Sequence, residues 1–156
     1  MQRADIEAII AARAQQPGAL LPILHALQDR FGHVPQAALA PIAAALNLSR
    51  AEVHGVLSFY PHFRRAPPGR HVLQLCRAEA CQAVGARALA VHVQAMLGCA
   101  FGQTSADGRF TLEPAYCLGN CAAGPSLMVD ERLVGRVDAA RFDALLGELA
   151  RDEARP

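Results

Sequence analysis

Four of the five cysteines occur as two close pairs, and paired cysteines are a common arrangement of metal ligands. Cys76 and Cys81 are separated by four residues. Cys117 and Cys121 are separated by three. Thiolates are soft ligands that select zinc or iron–sulfur clusters over hard cations. Both spacings occur in zinc sites, and two pairs also supply the four thiolates of a [2Fe–2S] cluster, so the residues themselves leave both metals open.

Other uses of these cysteines fit the spacing less well. A thiol–disulfide enzyme uses a C-x-x-C motif, which neither pair has. If the four cysteines were unrelated buried side chains, their occurrence as two close pairs would be a coincidence. Cys99 stands alone after Gly98 beside apolar residues, which is typical of a small buried side chain, so we do not expect it to bind a metal. The six histidines show no metal-binding spacing. They are expected at the surface, or in the core with hydrogen-bond partners.

Each cysteine pair is predicted to lie in a loop that follows a strand. Residues 72–75 are mostly apolar and predict a buried strand that ends at Cys76. Residues 109–116 follow the turn signal Asp107-Gly108 and predict a second strand, which ends just before Cys117. The two pairs are therefore expected to converge on one site.

The remaining pattern of this half predicts two helices and two more strands. Residues 82–97 are rich in alanine at helical spacing and predict a helix that begins next to Cys81 and ends at Gly98. The last elements are predicted to be strands over residues 126–129 and 133–137 and a helix that Asp138 caps and that runs through residue 149. The order β-α-β-β-β-α is thioredoxin-like in outline.

The loop around the second pair has features that suit a cluster of sulfur ligands. Gly119 and Asn120 lie between the two cysteines, and Gly124 follows them. Glycine lets backbone N–H groups approach sulfur closely, and such hydrogen bonds tune the potential of a cluster. Pro125 comes next, and a cis peptide bond before it is a hypothesis that a structure can test.

The first sixty residues predict helices. Apolar residues at helical spacing begin at Ile6 and are stopped at Pro17, and a second stripe over residues 20–31 ends at Gly32. The third and fourth helices are predicted to begin at the first-turn proline Pro35 and at the capping box Ser49-Arg50-Ala51-Glu52. Residues 61–70, with three prolines, predict a linker.

These patterns predict an α+β chain of two domains, a helical bundle over residues 1–65 and a mixed domain over residues 66–156. Apolar residues make up 53% of the 156 residues, enough for a core without a metal, so a metal site here would be functional. The formal net charge of +1 argues against a nucleic-acid binder. No apolar stretch reaches the roughly 18–20 residues of a membrane span, and no signal-peptide core is visible, so we expect a cytoplasmic protein without disulfides.

Several motifs together resemble one known family. They are Cys117-Leu118-Gly119-Asn120-Cys121 with Gly124-Pro125, then Val129-Asp130 and Gly135-Arg136, Asp107-Gly108-Arg109-Phe110-Thr111-Leu112-Glu113 upstream, and Val53, Val56, Ser58-Phe59-Tyr60 and Phe63 in the helical half. The sequence resembles the thioredoxin-like [2Fe–2S] subunits of NADH-dehydrogenase-type modules. These include the small iron–sulfur subunit of complex I, the matching subunit of NAD-reducing hydrogenases and the gamma subunit of molybdenum-dependent NAD formate dehydrogenase.

One loop makes the resemblance to the formate dehydrogenase gamma subunit the strongest. It is Cys76-Arg77-Ala78-Glu79-Ala80-Cys81-Gln82. The complex I subunit usually has threonine after the first cysteine of this loop, where this chain has Arg77. Arg77 and Glu79 could adjust the cluster or contact a partner, but an exposed ion pair is the more common role of two such residues.

The resemblance implies a fold, a cofactor and partners. It implies an N-terminal helical bundle followed by a thioredoxin-like [2Fe–2S] ferredoxin domain, with one [2Fe–2S] cluster held by Cys76, Cys81, Cys117 and Cys121. The chain would be a non-catalytic electron-transfer subunit of NAD-dependent formate dehydrogenase. FMN and NAD would be bound by a flavin-bearing partner subunit, and a molybdenum catalytic subunit would complete the hetero-oligomeric complex.

Alternatives of other kinds stay open at this point. The chain could serve in complex I or in an NAD-reducing hydrogenase instead. A zinc-stabilised interaction module would use the same cysteines without redox chemistry. A free-standing ferredoxin shuttle needs no helical extension, so the first sixty residues count against it.

Overall fold

The helical spacing of the first sixty residues produces four α-helices in the computed structural model, which describes residues 2–153. They are α1 (Gln2–Ala11), α2 (Leu20–Phe31), α3 (Leu39–Leu46) and α4 (Arg50–Phe59). Their apolar faces pack into one core, in which Ile23, Leu24, Leu27, Ile42 and Val53 are fully buried. Burial of these aliphatic side chains is the main source of stability for this unit.

The helix boundaries follow local signals in the sequence. Gly32 ends α2 in the left-handed region at φ 75°, and its N–H donates to the Gln28 carbonyl over 2.7 Å. Pro35 was predicted inside the first turn of one helix, but it is extended and precedes a 3-10 turn, Gln36–Ala38, before α3 begins. The predicted capping box is confirmed. The Glu52 N–H donates to Ser49 Oγ over 3.1 Å, and the Ser49 N–H donates to the Glu52 carboxylate over 2.7 Å.

The segment predicted as a linker, residues 61–70, is anchored at both of its ends. On the helical side, the buried side chain of Gln28 donates to the His62 carbonyl over 2.9 Å and accepts from the Arg64 N–H over 2.7 Å. At the other end, the Gly69 N–H donates to Thr111 Oγ1 over 2.6 Å. A Cβ on Gly69 would lie 2.9 Å from the Phe110 nitrogen, so only glycine fits this approach. The stretch between these hydrogen-bonded ends is therefore shorter than the predicted linker of residues 61–70.

The second half forms a five-stranded mixed sheet with helices. Its elements are β1 (His71–Cys76), α5 (Glu79–Ala83), α6 (Ala86–Leu97), β2 (Gln103–Thr104), β3 (Phe110–Ala115), β4 (Leu127–Val129), β5 (Arg132–Val134) and α7 (Ala139–Glu153). The strand order is β2-β3-β1-β4-β5. Only the β1–β3 pair is parallel among these five, and the α5–α6 segment forms the crossover that a parallel pair requires.

Three details of this half differ from the sequence prediction. The helix predicted over residues 82–97 is two helices. Gly85, with a positive φ of 105°, interrupts the helix between α5 and α6. The two-residue strand β2 was missed, since so short a strand has no readable periodicity. The strand predicted over residues 133–137 ends earlier, at Val134. The cap on the last helix is confirmed, since the Arg141 N–H donates to the Asp138 carboxylate over 2.8 Å.

The chain separates into two compact units, Met1–Pro68 and Gly69–Pro156, each with its own hydrophobic core. The core of the second unit is formed by the sheet with α6 and α7, and Leu75, Val93, Leu112, Leu127 and Phe142 are almost fully buried in it. The predicted α+β class is confirmed. Among residues 2–153, no helix has the length and apolar character that a membrane crossing needs.

We expect Ser49→Ala to lower the free energy of unfolding of the helical unit by about 1 kcal/mol, because the Glu52 N–H loses its acceptor. Ser58→Ala is the matched control in the same helix. Ser58 Oγ donates to the Gly55 carbonyl within α4, and such a bond adds no net helix stability. Urea unfolding followed by far-ultraviolet circular dichroism measures both variants. Equal stability of the two would contradict the role of the cap.

Candidate metal centre

The parallel pairing of β1 and β3 brings the starts of both cysteine loops to one edge of the sheet. Parallel strands have their carboxyl ends on the same side. Cys76 is the last residue of β1 and lies opposite Ala115, the last residue of β3. Cys117 follows Ala115 by two residues. The backbone also joins the loops directly, since the Arg77 N–H donates to the Ala115 carbonyl over 2.7 Å.

The first cysteine pair is buried. Cys76 and Cys81 are each 1% exposed and form a small apolar cluster with Ala86. Leu118, from the second cysteine loop, packs against this cluster. Cys81 lies in the five-residue helix α5, which begins at Glu79, two residues before the cysteine. Water has little access to these two sulfur atoms.

The second pair is exposed, and its sulfur atoms are already close together. The Sγ atoms of Cys117 and Cys121 lie 4.0 Å apart. Two thiolates on one tetrahedral metal, each at about 2.3 Å, would be about 3.8 Å apart, so this separation suits a shared metal ion. The Gly119 N–H donates to Cys117 Sγ over 3.3 Å, which is the approach predicted for a glycine in this loop.

The thiols influence one another and their surroundings. Burial raises the pKa of Cys81, and the neighbouring Cys76 thiol adds to the rise, while the backbone N–H and hydroxyl of Ser126 oppose it. The Cys117 side chain raises the pKa of Cys121, and Cys76 contributes to that rise as well.

Close backbone contacts hold the second loop against the sheet. The Arg136 N–H donates to the Ala123 carbonyl over 2.6 Å. A Cβ on Gly135 would lie 2.6 Å from both the Ala123 oxygen and the Asn120 Nδ2. A Cβ on Gly124 would lie 3.3 Å from Cys81 Sγ, so this glycine leaves room beside the sulfur. The Gly124–Pro125 peptide bond is cis, as hypothesised.

Residues that the sequence placed outside the site do lie elsewhere. Cys99 is buried in the core of the second unit, where burial raises the pKa of its thiol. His71 contacts Asp130 at 2.9 Å and His92 contacts Asp143 at 2.7 Å. These histidines have carboxylate partners rather than a place among the cysteines.

Arg77 makes a different contact from the one expected. Its guanidinium lies over the Phe101 ring, 4.8 Å from the centroid. Among residues 2–153, Arg77 forms no ion pair with Glu79. Ser126, which follows Pro125, was missed by sequence reasoning. It contacts both cysteine loops, and only the pairing of β1 with β4 reveals this.

The donors of this site fit a [2Fe–2S] cluster. A [2Fe–2S] cluster needs two cysteines for each iron, and the donors here are two pairs of free thiols. The small residues Gly119 and Gly124 beside the sulfur atoms supply the close backbone approach that such clusters use.

Comparison with known proteins gives a consistent result. The family model of the thioredoxin-like [2Fe-2S] ferredoxins matches residues 6–150. The chain is 39% identical over 144 residues to a subunit of the NADH-quinone oxidoreductase of Rhizobium meliloti (strain 1021), covering 92% of this chain and 86% of that protein. It is 31% identical over 144 residues to the HndA subunit of the NADP-reducing hydrogenase of Solidesulfovibrio fructosivorans, covering 92% and 84%.

A solved structure is similar over most of the chain. The crystal structure of an NAD+-reducing [NiFe]-hydrogenase in the air-oxidized state matches with a TM-score of 0.68 at 30% identity. The match covers 83% of this chain and 23% of the hydrogenase chain, so the similarity concerns under a quarter of that longer chain.

The chain belongs to the thioredoxin-like [2Fe-2S] ferredoxin family. This confirms the predicted family and fold, and it confirms a [2Fe–2S] cluster as the cofactor. The relatives are subunits of oxidoreductases. The individual cysteine ligands stay a prediction at this point.

We expect Gly135→Ala to destabilise the second unit by about 1–3 kcal/mol, because the new Cβ would overlap the Ala123 carbonyl oxygen, which is backbone and cannot simply rotate away. Gly147→Ala is the control. Gly147 lies inside α7 with open space around its Cα, so alanine there should be neutral or stabilising by up to about 1 kcal/mol. Denaturant unfolding of both variants measures the difference. A neutral Gly135→Ala would show that the loop is held less tightly than these contacts indicate.

Proposed function

We propose that this chain is the small electron-transfer subunit of an NAD-linked oxidoreductase complex, with one [2Fe–2S] cluster held by Cys76, Cys81, Cys117 and Cys121. The observation that supports this most directly is the convergence of two cysteine pairs at one edge of the sheet in a chain of the [2Fe-2S] ferredoxin family. Each pair would bind one of the two irons.

The bound cluster would supply one-electron oxidation and reduction. The two cysteine pairs would give the cluster two different sides. Cys76 and Cys81 are buried from water on the inner side, whereas Cys117 and Cys121 face solvent on the outer side. Tyr116, which is 72% exposed, stands beside the outer pair and adds apolar surface there. We therefore assign electron exchange with a partner to the outer side, where the distance through protein is shortest.

The partner in this proposal carries a flavin. A flavin takes two electrons from NADH as hydride and passes them on singly, which an iron–sulfur cluster cannot do for itself. FMN and NAD are therefore assigned to a partner subunit, and the isolated chain is expected to reduce no NAD. This follows the relatives, which are subunits of an NADH-quinone oxidoreductase and of an NADP-reducing hydrogenase.

A finer proposal concerns which complex the chain serves. The loop from Cys76 to Gln82, with Arg77 after the first cysteine, favours the gamma subunit of NAD-dependent formate dehydrogenase, whose catalytic subunit carries molybdenum. Complex I and NAD-reducing hydrogenase are the alternatives. The named relatives are subunits of an NADH-quinone oxidoreductase and of an NADP-reducing hydrogenase, and the similar solved structure is an NAD+-reducing [NiFe]-hydrogenase. In each case the chain contributes the same cluster, and the catalytic partner differs. A cytoplasmic location stays part of the prediction.

Purification of the tagged chain from its own cells, followed by mass spectrometry and metal analysis, tests the finer proposal. Molybdenum with formate-dependent NAD reduction in the purified complex would support formate dehydrogenase. Nickel with hydrogen-dependent activity, or a quinone-reducing membrane assembly, would replace it with one of the alternatives. In all three, a flavin-bearing subunit should be present, and its absence would contradict the broader proposal.

The ligand set is tested by single replacements. We expect Cys117→Ser and Cys76→Ser each to perturb or abolish the visible absorption and the S = 1/2 EPR signal of the dithionite-reduced protein, because each removes one of four thiolates. Wild-type protein should contain about two irons per chain. Cys99→Ser is the matched control and should leave the spectra unchanged, because that thiol lies in the core of the second unit. Unchanged spectra in Cys117→Ser would remove that residue from the ligand set.

A further inference from the structure

A groove on the second unit begins directly beside the first cysteine loop. It has a volume of about 350 Å³ and is bordered by one face of α6. Arg77 and Arg87 line it together with the amides of Gln82 and Gln94. Its apolar part includes Val91, which is 69% exposed although it lies in the middle of α6. The groove therefore combines two positive charges, two amides and an uncovered apolar surface.

Contacts within the groove hold both arginines in place. The guanidinium of Arg77 lies over the Phe101 ring, 4.8 Å from its centroid. Gln82 Nε2 donates to the Arg77 carbonyl over 2.6 Å, and Arg87 Nε donates to Gln82 Oε1 over 2.7 Å. Gln82 thus links the backbone of one arginine to the side chain of the other. An arginine that is already held in place loses less conformational entropy when it binds a ligand.

Neither guanidinium has a carboxylate partner within residues 2–153. No Asp or Glu of this range forms an ion pair with Arg77 or Arg87, and none lines the groove. The planar guanidinium of arginine can bind a carboxylate through two parallel hydrogen bonds. Charges of opposite sign on two protein surfaces favour their association. The groove is therefore complementary to a ligand that carries carboxylates.

The position of the groove favours a polypeptide over a small anion. Arg77 directly follows Cys76, and its N–H donates to the Ala115 carbonyl over 2.7 Å. Ala115 is followed by Tyr116, which is 72% exposed. The groove thus adjoins the surface to which electron exchange with a partner is assigned. A polypeptide that extends from this surface into the groove also covers the apolar side chain of Val91, which a small anion would leave exposed.

We propose that the groove of Arg77 and Arg87 is the docking site for an acidic segment of the flavin-bearing partner subunit. This inference rests on the proposed function, which supplies that partner. The carboxylates of the segment pair with the two guanidinium groups, and its apolar side chains lie against Val91. Charge pairs of this kind act mainly on the rate and specificity of association, and they weaken as the salt concentration rises.

The sequence contains no lysine, and this permits a direct test. Arg77→Lys and Arg87→Lys each keep the positive charge and introduce one side-chain amine. Each complex is purified from its own cells through a lysine-free tag on this chain and treated with a carbodiimide, which joins an amine to a carboxylate in contact with it. Mass spectrometry should find the introduced amine joined to Asp or Glu of the flavin-bearing subunit. Arg132→Lys is the matched control and should give no such product, because Arg132 pairs with Val129 at the end of the sheet away from Cys76.

A charge reversal gives the second measurement, which is the flavin retained per tagged chain. Retention by the wild type should fall as the salt concentration rises, because salt screens the charge pairs. Arg77→Glu combined with Arg87→Glu should lower retention several-fold at low salt. This deficit should shrink as salt rises, because salt then screens a repulsion. Arg132→Glu should behave as the wild type does.

The outcomes separate this inference from the function on which it rests. A wild-type complex without any flavin-bearing subunit would overturn the proposed function, and the inference with it. With that subunit present, three results would overturn the inference alone: no cross-link to it from either groove variant, cross-links only to Glu79 or to a second copy of this chain, or an equal cross-link from Arg132→Lys. Wild-type flavin retention by the charge-reversed chain would do the same. If that chain does not retain its cluster, the lysine variants decide.

Discussion

The parallel hydrogen bonding between β1 and β3 is the interaction on which the rest of the site depends. It aligns Cys76 with Ala115, so that both cysteine loops leave the sheet from the same edge. The antiparallel pairing of β4 on the other side of β1 then brings Ser126 to the same place. A shift of one residue in either register would turn Cys76 to the opposite face of the sheet. Backbone hydrogen bonds thus bring three chain segments together at this edge of the sheet.

The burial of the site is uneven, and this arises from the same topology. Cys76 ends a central strand and is covered by α5, whereas the loop that holds Cys117 and Cys121 lies beyond the sheet edge. The buried side offers few water molecules to screen charge, so polar groups placed there act strongly on the sulfur atoms. The exposed side offers access to other proteins. A cofactor between them would be protected on one side and reachable on the other.

Much of this arrangement was readable from the sequence, and the remainder depends on contacts distant in the chain. The strand before Cys76, the capping box at Ser49 and the cap at Asp138 follow from local patterns and are confirmed. The break at Gly85 was missed because the alanine-rich residues on both sides have helical spacing, and alanine favours a helix throughout. Contacts such as Ser126 with Asn120 join residues whose proximity depends on strand pairing. No periodicity in one segment predicts them.

The close approach of Gly69 to the start of β3 has a consequence for how such chains vary in evolution. A side chain at this position would overlap the backbone of Arg109 and Phe110, so related sequences are constrained to keep glycine there. The residues before it belong to the first unit, and this overlap does not restrict them. Insertions, deletions and changes of composition should therefore accumulate just ahead of Gly69 and stop at it. A family alignment would then show a variable stretch that ends at a glycine.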